Sequence, residues 1–581
     1  MSGKIDCTNY IGMISRQVAS SITAEEATAY MVTGCGDDLS VGQYLIVEPR
    51  PGDSGSRFLA RITEVHVEDV YAVAKTPVIS IDQEIEMELA FTPRLVSLEL
   101  VMECRDNGGT INCGPPARPA PIHGMVRKPK KQEVTYMLGL PISGLLIGQL
   151  SLPTGEVINE DVMLPLDALK HHVLVVGTTG SGKTMLMKNI AYELSKTTSA
   201  TVLALDVVGH YHHLAMGISN MRIIYPVLGS FLSGIVKKGK KSRKSVIWAI
   251  IRQYLRKNFV EMGIQVKHVK VRGMGKKHGD DGPISISRID FTVTTDKGSF
   301  NASLFPWALE TRTVINQIYN ITDILTQQAR IFYRAVLREI RKNMDNSLTF
   351  EGIYNYLISQ SGVTDRGRML LNYEKLSQVI GVHVSTMENM VRSFLALSEL
   401  GLFDVSFGGY IVKEPSYNEL LGPGYVVVDL ANLSPQQQRL IVYRLMDKVY
   451  GYMGREHAVN RDRVMAILLD EAHLFFPQAR SEDEKALMER HLTRITRLGR
   501  SRGISVIFAT HMPEDLNNAI IQLTNTKMIL RSDEFVLESL NVPSKERRFI
   551  ALAGPGLIYV RSFMYRQPVY VKASVNKYHF G

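Results

Sequence analysis

Cysteine is scarce in this chain, four in 581 residues, and Cys7, Cys35, Cys104 and Cys113 fall at no metal-ligand spacing. They read as reduced thiols of a cytosolic protein, which excludes a disulfide or zinc framework. Long apolar runs are scarce too. The longest, such as Val464 to Leu469 and Val173 to Val176, fall far short of the ~20 residues a membrane helix needs, so no membrane insertion by this chain is expected. No basic segment followed by an apolar one opens the sequence, which argues against secretion. With 45% hydrophobic and 21% charged residues, wholesale disorder and collagen-like classes are excluded as well. What remains is a cytoplasmic protein of several domains.

The charge present is tilted towards the positive. Lysine plus arginine is 67 against 57 for aspartate plus glutamate, a formal +10 with a sequence pI near 9.2. Such a balance suits a polyanionic partner and equally suits an ordinary large enzyme. The excess is uneven: Lys237, Lys238, Lys240, Lys241, Arg243 and Lys244 form one block, and Arg127, Lys128, Lys130 and Lys131 another. Blocks of this kind are solvated loops or nucleic-acid contacts.

The first hundred residues carry strand patterns: Val96, Leu98, Leu100, Met102 and Cys104 alternate with Ser97, Glu99, Val101 and Glu103, and Tyr44 to Val47 and Ile62 to Val67 are further strands. Short strands at this spacing suggest a small barrel, and the proline-rich stretch Asn107 to Lys131 reads as a linker or exposed loop. Beyond it, Val173 to Val176, a helix marked by Leu186, Ile190 and Leu194, and Thr201 to Leu205 compose one βαβ unit of a parallel sheet. More strands of the same kind, Tyr425 to Val428, Val464 to Leu469, Ile504 to Ala509 and Lys527 to Leu530, follow only after an insertion of roughly 200 residues, too long to be a loop. Within it, Leu325, Ala329, Phe332, Val336 and Ile340 mark an amphipathic helix, Ser385 with Glu388 reads as a capping box for another that closes near Gly401, and residues 265 to 305 look like strands around a polar turn, Lys276 to Gly282.

Gly177-Thr178-Thr179-Gly180-Ser181-Gly182-Lys183-Thr184 completes the phosphate-loop pattern between a strand and a helix. Glycines let the backbone N–H groups wrap ATP phosphates, and the helix points its positive end at the same anion. Lys183 reaches the β- and γ-phosphates, and Thr184 offers a hydroxyl to Mg²⁺. The partner signal is Asp470-Glu471, delivered by the apolar strand before it: Asp470 suits the Mg²⁺ shell, and Glu471 suits polarising the attacking water. Asp206 is either another acidic group of the site or a strand-end turn, and His511 either senses the γ-phosphate or is a satisfied buried histidine. Arg490, Arg494 and Arg497 share a helix face, with Arg500 and Arg502 in the following turn; this is either a solvated face paired with Glu482, Asp483 and Glu484, or the source of a finger reaching a neighbouring subunit's γ-phosphate, with the remaining arginines touching DNA phosphates.

Gly177 to Thr184, Asp206 to Tyr211, Val427 to Leu430, Ile467 to His473 and Arg494 to Arg500 follow in the order and spacing of the HerA family, in the HerA/FtsK group of RecA-like hexameric DNA-translocating ATPases. Ile11-Gly12 and Leu39 to Tyr44 resemble that family's amino-terminal barrel, and Gly554 to Ile558 with Val569 to Lys572 resemble its C-terminal brace. The resemblance implies an α/β fold: a RecA-like P-loop ATPase core with an amino-terminal small β-barrel and a mostly helical insertion. Residues 1–135 are then the barrel, 136–215 and 421–581 the two parts of the core, and 216–420 the insertion. It implies a homo-hexamer that binds ATP and Mg²⁺ between subunits and threads double-stranded DNA, an archaeal-type partnership with a NurA-type nuclease in DNA-end resection and repair, and Arg500 as the finger acting in trans. It also favours a functional Asp206. The chain departs from the family's Asp-x-His-Gly-Glu-Tyr pattern at Asp206 to Tyr211, carries His171, followed by His172, where an arginine is usual before the strand's entry histidine, and has Thr510-His511 for the usual Ser-Gln pair. Two other uses of the same motifs are a DNA-import or type IV secretion ATPase and an ATP-dependent ring scaffold for an effector enzyme.

Overall fold

A computed structural model of the chain describes residues 10–15, 26–32, 38–67, 94–106, 111–196, 200–237, 242–274, 283–344, 348–365, 368–371, 373–478, 482–575 and 578. Cys7, Cys35, Lys238, Lys240, Lys241 and the turn from Lys276 to Gly282 lie outside them. The chain divides into two compact units, one built from Met1–Ala168, Gly177–Gly182 and Thr526–Ser574, the other from Leu169–Val176, Lys183–Asn525 and Val575–Gly581.

In the first unit the strands Glu26–Met31, Gly12–Ile14, Met125–Arg127, Tyr44–Glu48, Arg57–Val67 and Arg94–Asp106 lie side by side, and the last pairs back with the first, closing a barrel. Closure removes the exposed edges that an open sheet would leave. Its inside is filled by Ile14, Leu45, Val47, Phe58, Ala60, Ile62, Val96, Leu98, Leu100 and Val126. Two register shifts against Arg94–Asp106, at Leu59/Ala60 and Ile62/Glu64, let Arg57–Val67 bend around this core. The segment from Asn107 to Lys131 is more than a linker: Ile111–Gly114 pairs with Arg94–Asp106, and Met125–Arg127 sits between Gly12–Ile14 and Tyr44–Glu48. For Cys104 and Cys113 the reduced-thiol reading is also overturned. Cys104 and Cys113 face each other across the antiparallel pair, and their sulfurs are bonded. A hairpin places two residues nine apart directly opposite, within bonding reach of their side chains, which spacing alone does not disclose.

The same unit holds an antiparallel run of Thr526–Ile529, Leu557–Ser562, Val569–Ala573, Leu145–Ser151 and Val157–Leu164. Arg61 of the barrel ties to it by charge, donating to Glu99 at 2.8 Å and to Glu546 of the helix Ser544–Ala551 at 2.6 Å, while Tyr570 Oη donates to Glu546 at 2.6 Å. Lys545 closes the group on Glu99.

The second unit is a sheet in the order Val266–Met274, Ile289–Thr295, Ser299–Trp307, Met221–Pro226, Gly424–Asp429, Ala200–Asp206, Val464–Leu469, Ile504–Thr510, Val173–Val176. From Ser299–Trp307 onward every neighbouring pair is parallel. Strands covered on both faces need no polar alternation, so Val464–Leu469 and Ile504–Thr510 are buried throughout. Four strands of the stretch read as an insertion, Met221–Pro226, Val266–Met274, Ile289–Thr295 and Ser299–Trp307, belong to this sheet, joined to the core where Ile223 pairs with Val427 and with Leu304. Their membership depends on pairing with a strand some 200 residues later, which no local pattern reveals.

The rest of that stretch is mainly helical, including Gln327–Asn343, Phe350–Ser361, Glu374–Ile380 and Val384–Glu399. Glu374–Ile380 ends on Gly381 at φ +73°, and three residues later Val384–Glu399 begins, a helix–turn–helix connection. The cap of the second helix is His383, whose ring accepts the Ser385 N–H, so the expected box of Ser385 with Glu388 lies two residues too deep. A capping box does occur elsewhere, Ser434 with Gln437, opening Pro435–Val459.

Candidate nucleotide-hydrolysis site

The register that pairs Leu205 with Leu469 and Leu469 with Phe508 brings the ends of three parallel strands level, so Asp206, Asp470 and His511 leave one carboxyl edge. The strand leading to His511 lies between the one that runs into the phosphate loop and the one that ends before Asp470. Ligands of open α/β sheets bind at this edge.

Residues 177–182 turn from Val173–Val176 into the helix Lys183–Ser195. Gly180 and Gly182 stand at φ +77° and +103°, conformations that a side chain would strain, so this backbone wrap needs glycine. Within its unit the loop is pinned by two backbone bonds: Thr178 N–H donates to the Arg531 carbonyl at 2.8 Å, and Gly556 N–H donates to the Ser181 carbonyl at 2.9 Å.

Lys183 and Thr184 open the helix. Thr184 Oγ1 donates to Asp470 Oδ2 at 3.4 Å, and Tyr211 Oη reaches the same oxygen at 3.4 Å. Burial pushes the Asp470 carboxyl up to about 6, and the charges of Glu471 and Asp206 add to this while Lys183 opposes it. A buried carboxylate crowded by its own sign is stabilised by a cation, and a hydroxyl with a hard carboxylate oxygen is a donor set that Mg²⁺ accepts. Thr184 and Asp470 therefore fit Mg²⁺, which when bound supplies charge neutralisation at the phosphates. Burial also pulls the Lys183 ammonium below its ordinary value, against the pull of Glu471 and Asp470.

Glu471 occupies the left-handed region at φ +53°, a position that costs a non-glycine residue about 1–3 kcal/mol and persists where the surroundings impose it. Its carboxylate Oε2 lies 2.7 Å from His511 Nδ1 and 3.6 Å from His473 Nδ1, and His473 Nδ1 is 3.1 Å from Thr510 Oγ1. The two imidazole rings meet edge to face at 5.0 Å. His511 thus turns towards the acid rather than into the core, and the pair holds the Glu471 carboxylate in one orientation.

Asp206 is buried and spent on its own turn. Oδ1 accepts N–H groups of Val208 at 3.3 Å, Gly209 at 2.7 Å and His210 at 3.1 Å, and Oδ2 accepts that of Tyr211 at 2.8 Å. The strand-end reading describes its contacts, and through them it places Tyr211 beside Asp470. Lys188 went unnoticed in the sequence because a lysine on an amphipathic helix ordinarily faces water. Here it is fully buried, with its ammonium pushed down to about 8 by burial and held up by Asp206 and Asp470. Among the arginines, Arg494 pairs with Asp447 at 2.6 Å, a partner on Pro435–Val459, while the side chains of Glu482, Asp483 and Glu484 lie outside the described residues. Arg497 and Arg500 are exposed. His172, which follows His171 at the position where an arginine is usual, is a structural histidine: Nδ1 accepts the Val506 N–H at 3.1 Å, and Nε2 donates to the Thr496 carbonyl at 2.9 Å.

The family model described as "Helicase HerA, central domain" matches residues 152–449, just over half of the chain, and "Helicase HerA-like C-terminal" matches 441–529. The chain belongs to the HerA family. A curated relative, the "DNA double-strand break repair helicase HerA" of Pyrococcus furiosus, is 26% identical over 172 residues, which cover 24% of this chain and 30% of that protein. The chain thus spans under a third of that relative's length in alignment. Among solved structures, VirB4 of Thermoanaerobacter pseudethanolicus shares 13% identity at a TM-score of 0.38, covering 76% of this chain and 99% of that one. The plasmid coupling protein TrwB in complex with ADP and Mg²⁺ shares 13% at 0.40, covering 77% and 93%. The fold is the expected one for a HerA member, a RecA-like P-loop ATPase core with a small barrel in the amino-terminal part.

Proposed function

We propose that this HerA member is a hexameric, ATP-driven double-stranded DNA translocase that works with a NurA-type nuclease in DNA-end resection and recombinational repair. The observation that carries the reading is the meeting of Thr184, Asp470, Glu471 and His511 at one carboxyl edge of the sheet. Backbone N–H groups of residues 177–182 and the Lys183 ammonium take the phosphates, and Thr184 and Asp470 hold Mg²⁺. Glu471 accepts a proton from water as that water turns towards the γ-phosphate, and His511 keeps the accepting oxygen aimed. Arg500, exposed on its subunit, supplies positive charge to a neighbour's γ-phosphate. The formal +10 and the family's name support DNA as the polymer moved. Among the described residues no helix is long and apolar enough to cross a membrane. We assign the chain to the cytoplasm.

The test is ATP hydrolysis with and without duplex DNA. Stimulation by duplex that vanishes in Glu471→Gln, with nucleotide binding retained, supports the reading. An enzyme that hydrolyses ATP at one rate whatever DNA is offered overturns it. Arg500→Ala subunits mixed with Lys183→Ala subunits should regain hydrolysis at interfaces that pair the intact residues.

A further inference from the structure

The helix Gln327–Asn343 has two unlike faces. Ala329, Tyr333, Val336, Leu337 and Ile340 are buried. Tyr333 stacks at a tilt on Phe394 of the second helix of the helix–turn–helix pair, 6.1 Å between rings, and Gln328 accepts from Thr386 of the same helix at 3.4 Å. The other face carries Arg334, Arg338 and Arg341, all exposed, at i, i+4 and i+7. They line a cleft of about 520 Å³ in which no Asp or Glu takes part among the described residues.

Neutral acceptors hold two of these guanidiniums. Arg334 donates to Tyr319 Oη at 3.4 Å, and Arg341 donates to Asn316 Oδ1 at 2.9 Å. The carboxylate nearest in sequence, Glu339, is taken by Lys342 at 2.9 Å. Arg490, from the arginine-rich helix of the candidate site, reaches Asn320 in the wall of the same cleft. Three like charges at helical spacing, two of them oriented by phenol and amide oxygens and none facing a carboxylate among the described lining residues, weaken the helix that bears them. Such an arrangement is stabilised by an anion, and the guanidinium fork matches phosphate geometry. The helical rise separates successive arginines by roughly 4.5–6 Å, a step of the same order as that between neighbouring phosphates of one nucleic-acid strand.

We propose that the Arg334–Arg338–Arg341 cleft is a docking groove for the phosphate backbone of duplex DNA. It rests on the translocase reading and adds the place where the helical segment grips the polymer. The adjoining helix–turn–helix is an arrangement that DNA-binding proteins also use. Recognition here is of charge and spacing, so it carries no sequence preference.

The experiment measures duplex affinity of the full chain by fluorescence anisotropy between 50 and 300 mM salt, with particle mass followed in parallel. Losing three phosphate contacts should reduce the slope of log K against log salt by about 2.7 in R334A/R338A/R341A, and R334K/R338K/R341K should restore most of it. Both variants should melt within the range of the parent protein. If the parent binds duplex and the alanine variant shows the same slope, the groove is wrong while the translocase reading stands. If the parent binds no duplex at any salt, both fall. A slope unchanged per particle, with loss of assembly in the alanine variant, overturns the groove and makes the arginines a contact between copies of this chain.

Discussion

His511 Nδ1 lies 2.7 Å from Glu471 Oε2, which joins the residue after one core strand to the acid after its neighbour. The bond crosses between elements 40 residues apart, and it exists because their strands are adjacent and parallel. His511→Ala should therefore lower the hydrolysis rate roughly tenfold with little change in nucleotide affinity. This is well short of the ~10²–10⁴-fold loss expected when Glu471→Gln removes the proton acceptor. Steady-state kinetics beside a nucleotide-binding titration separate the two. An equal loss of affinity in His511→Ala would show that the ring touches nucleotide directly.

The charge group around Arg61 should behave as a buried one. Glu546 is almost fully buried, so Arg61→Ala leaves its carboxylate without its main counter-charge at a cost of about 3–5 kcal/mol. Replacing both partners, as in R61M/E546Q, should cost less, because no lone charge stays behind. Urea unfolding of the single and paired variants gives the comparison, and additive losses would argue against coupling.

The bond between Cys104 and Cys113 closes a loop of nine residues' separation. Chain-entropy arithmetic for so short a loop gives about 2–3 kcal/mol. Reductant should lower the melting temperature of the parent protein, and the paired Cys104→Ser, Cys113→Ser variant should melt at that lower value with or without reductant.

His213 provides an acid-sensitive element. Burial pushes its imidazole down to about 4, with Lys188 adding to the effect, while the bond from Nε2 to the Asn258 carbonyl pulls the other way. In the unfolded chain the ring returns to its ordinary 6.5, so the unfolded state binds the extra proton. The contribution is complete above that value and is lost as pH falls towards 4, to a total of at most about 3 kcal/mol. Stability measured from pH 7 to pH 4.5 should fall less steeply in His213→Gln than in the parent. Parallel slopes would show that His213 does not supply the difference.

Much of the site was legible because its requirements are local. Gly180 and Gly182 need positive φ, Lys183 and Thr184 must open a helix, and Asp470 must follow an apolar strand, so each is written in its neighbours. What escaped is set by distant pairing. Met221–Pro226 looked like part of an insertion because its partner strand starts at Gly424. Cys104 and Cys113 looked unrelated until the hairpin register set them opposite. Lys188 and Tyr211 gain their places only when the Asp206 turn and the Asp470 strand stand side by side, a relation that neither segment carries alone.

Asp206 has one more consequence. With four amides of its own turn already bonded to its two oxygens, the elbow from residue 206 to 211 is complete before any nucleotide arrives. The other near neighbour of Asp206 is also local, His212 Nε2 at 3.5 Å from Oδ2. The amide protons of Gly209 and Tyr211 should exchange with solvent equally slowly in the nucleotide-free, ATP-bound and ADP-bound states, so whatever part of the chain bends during a turnover, this corner serves as its fixed axle.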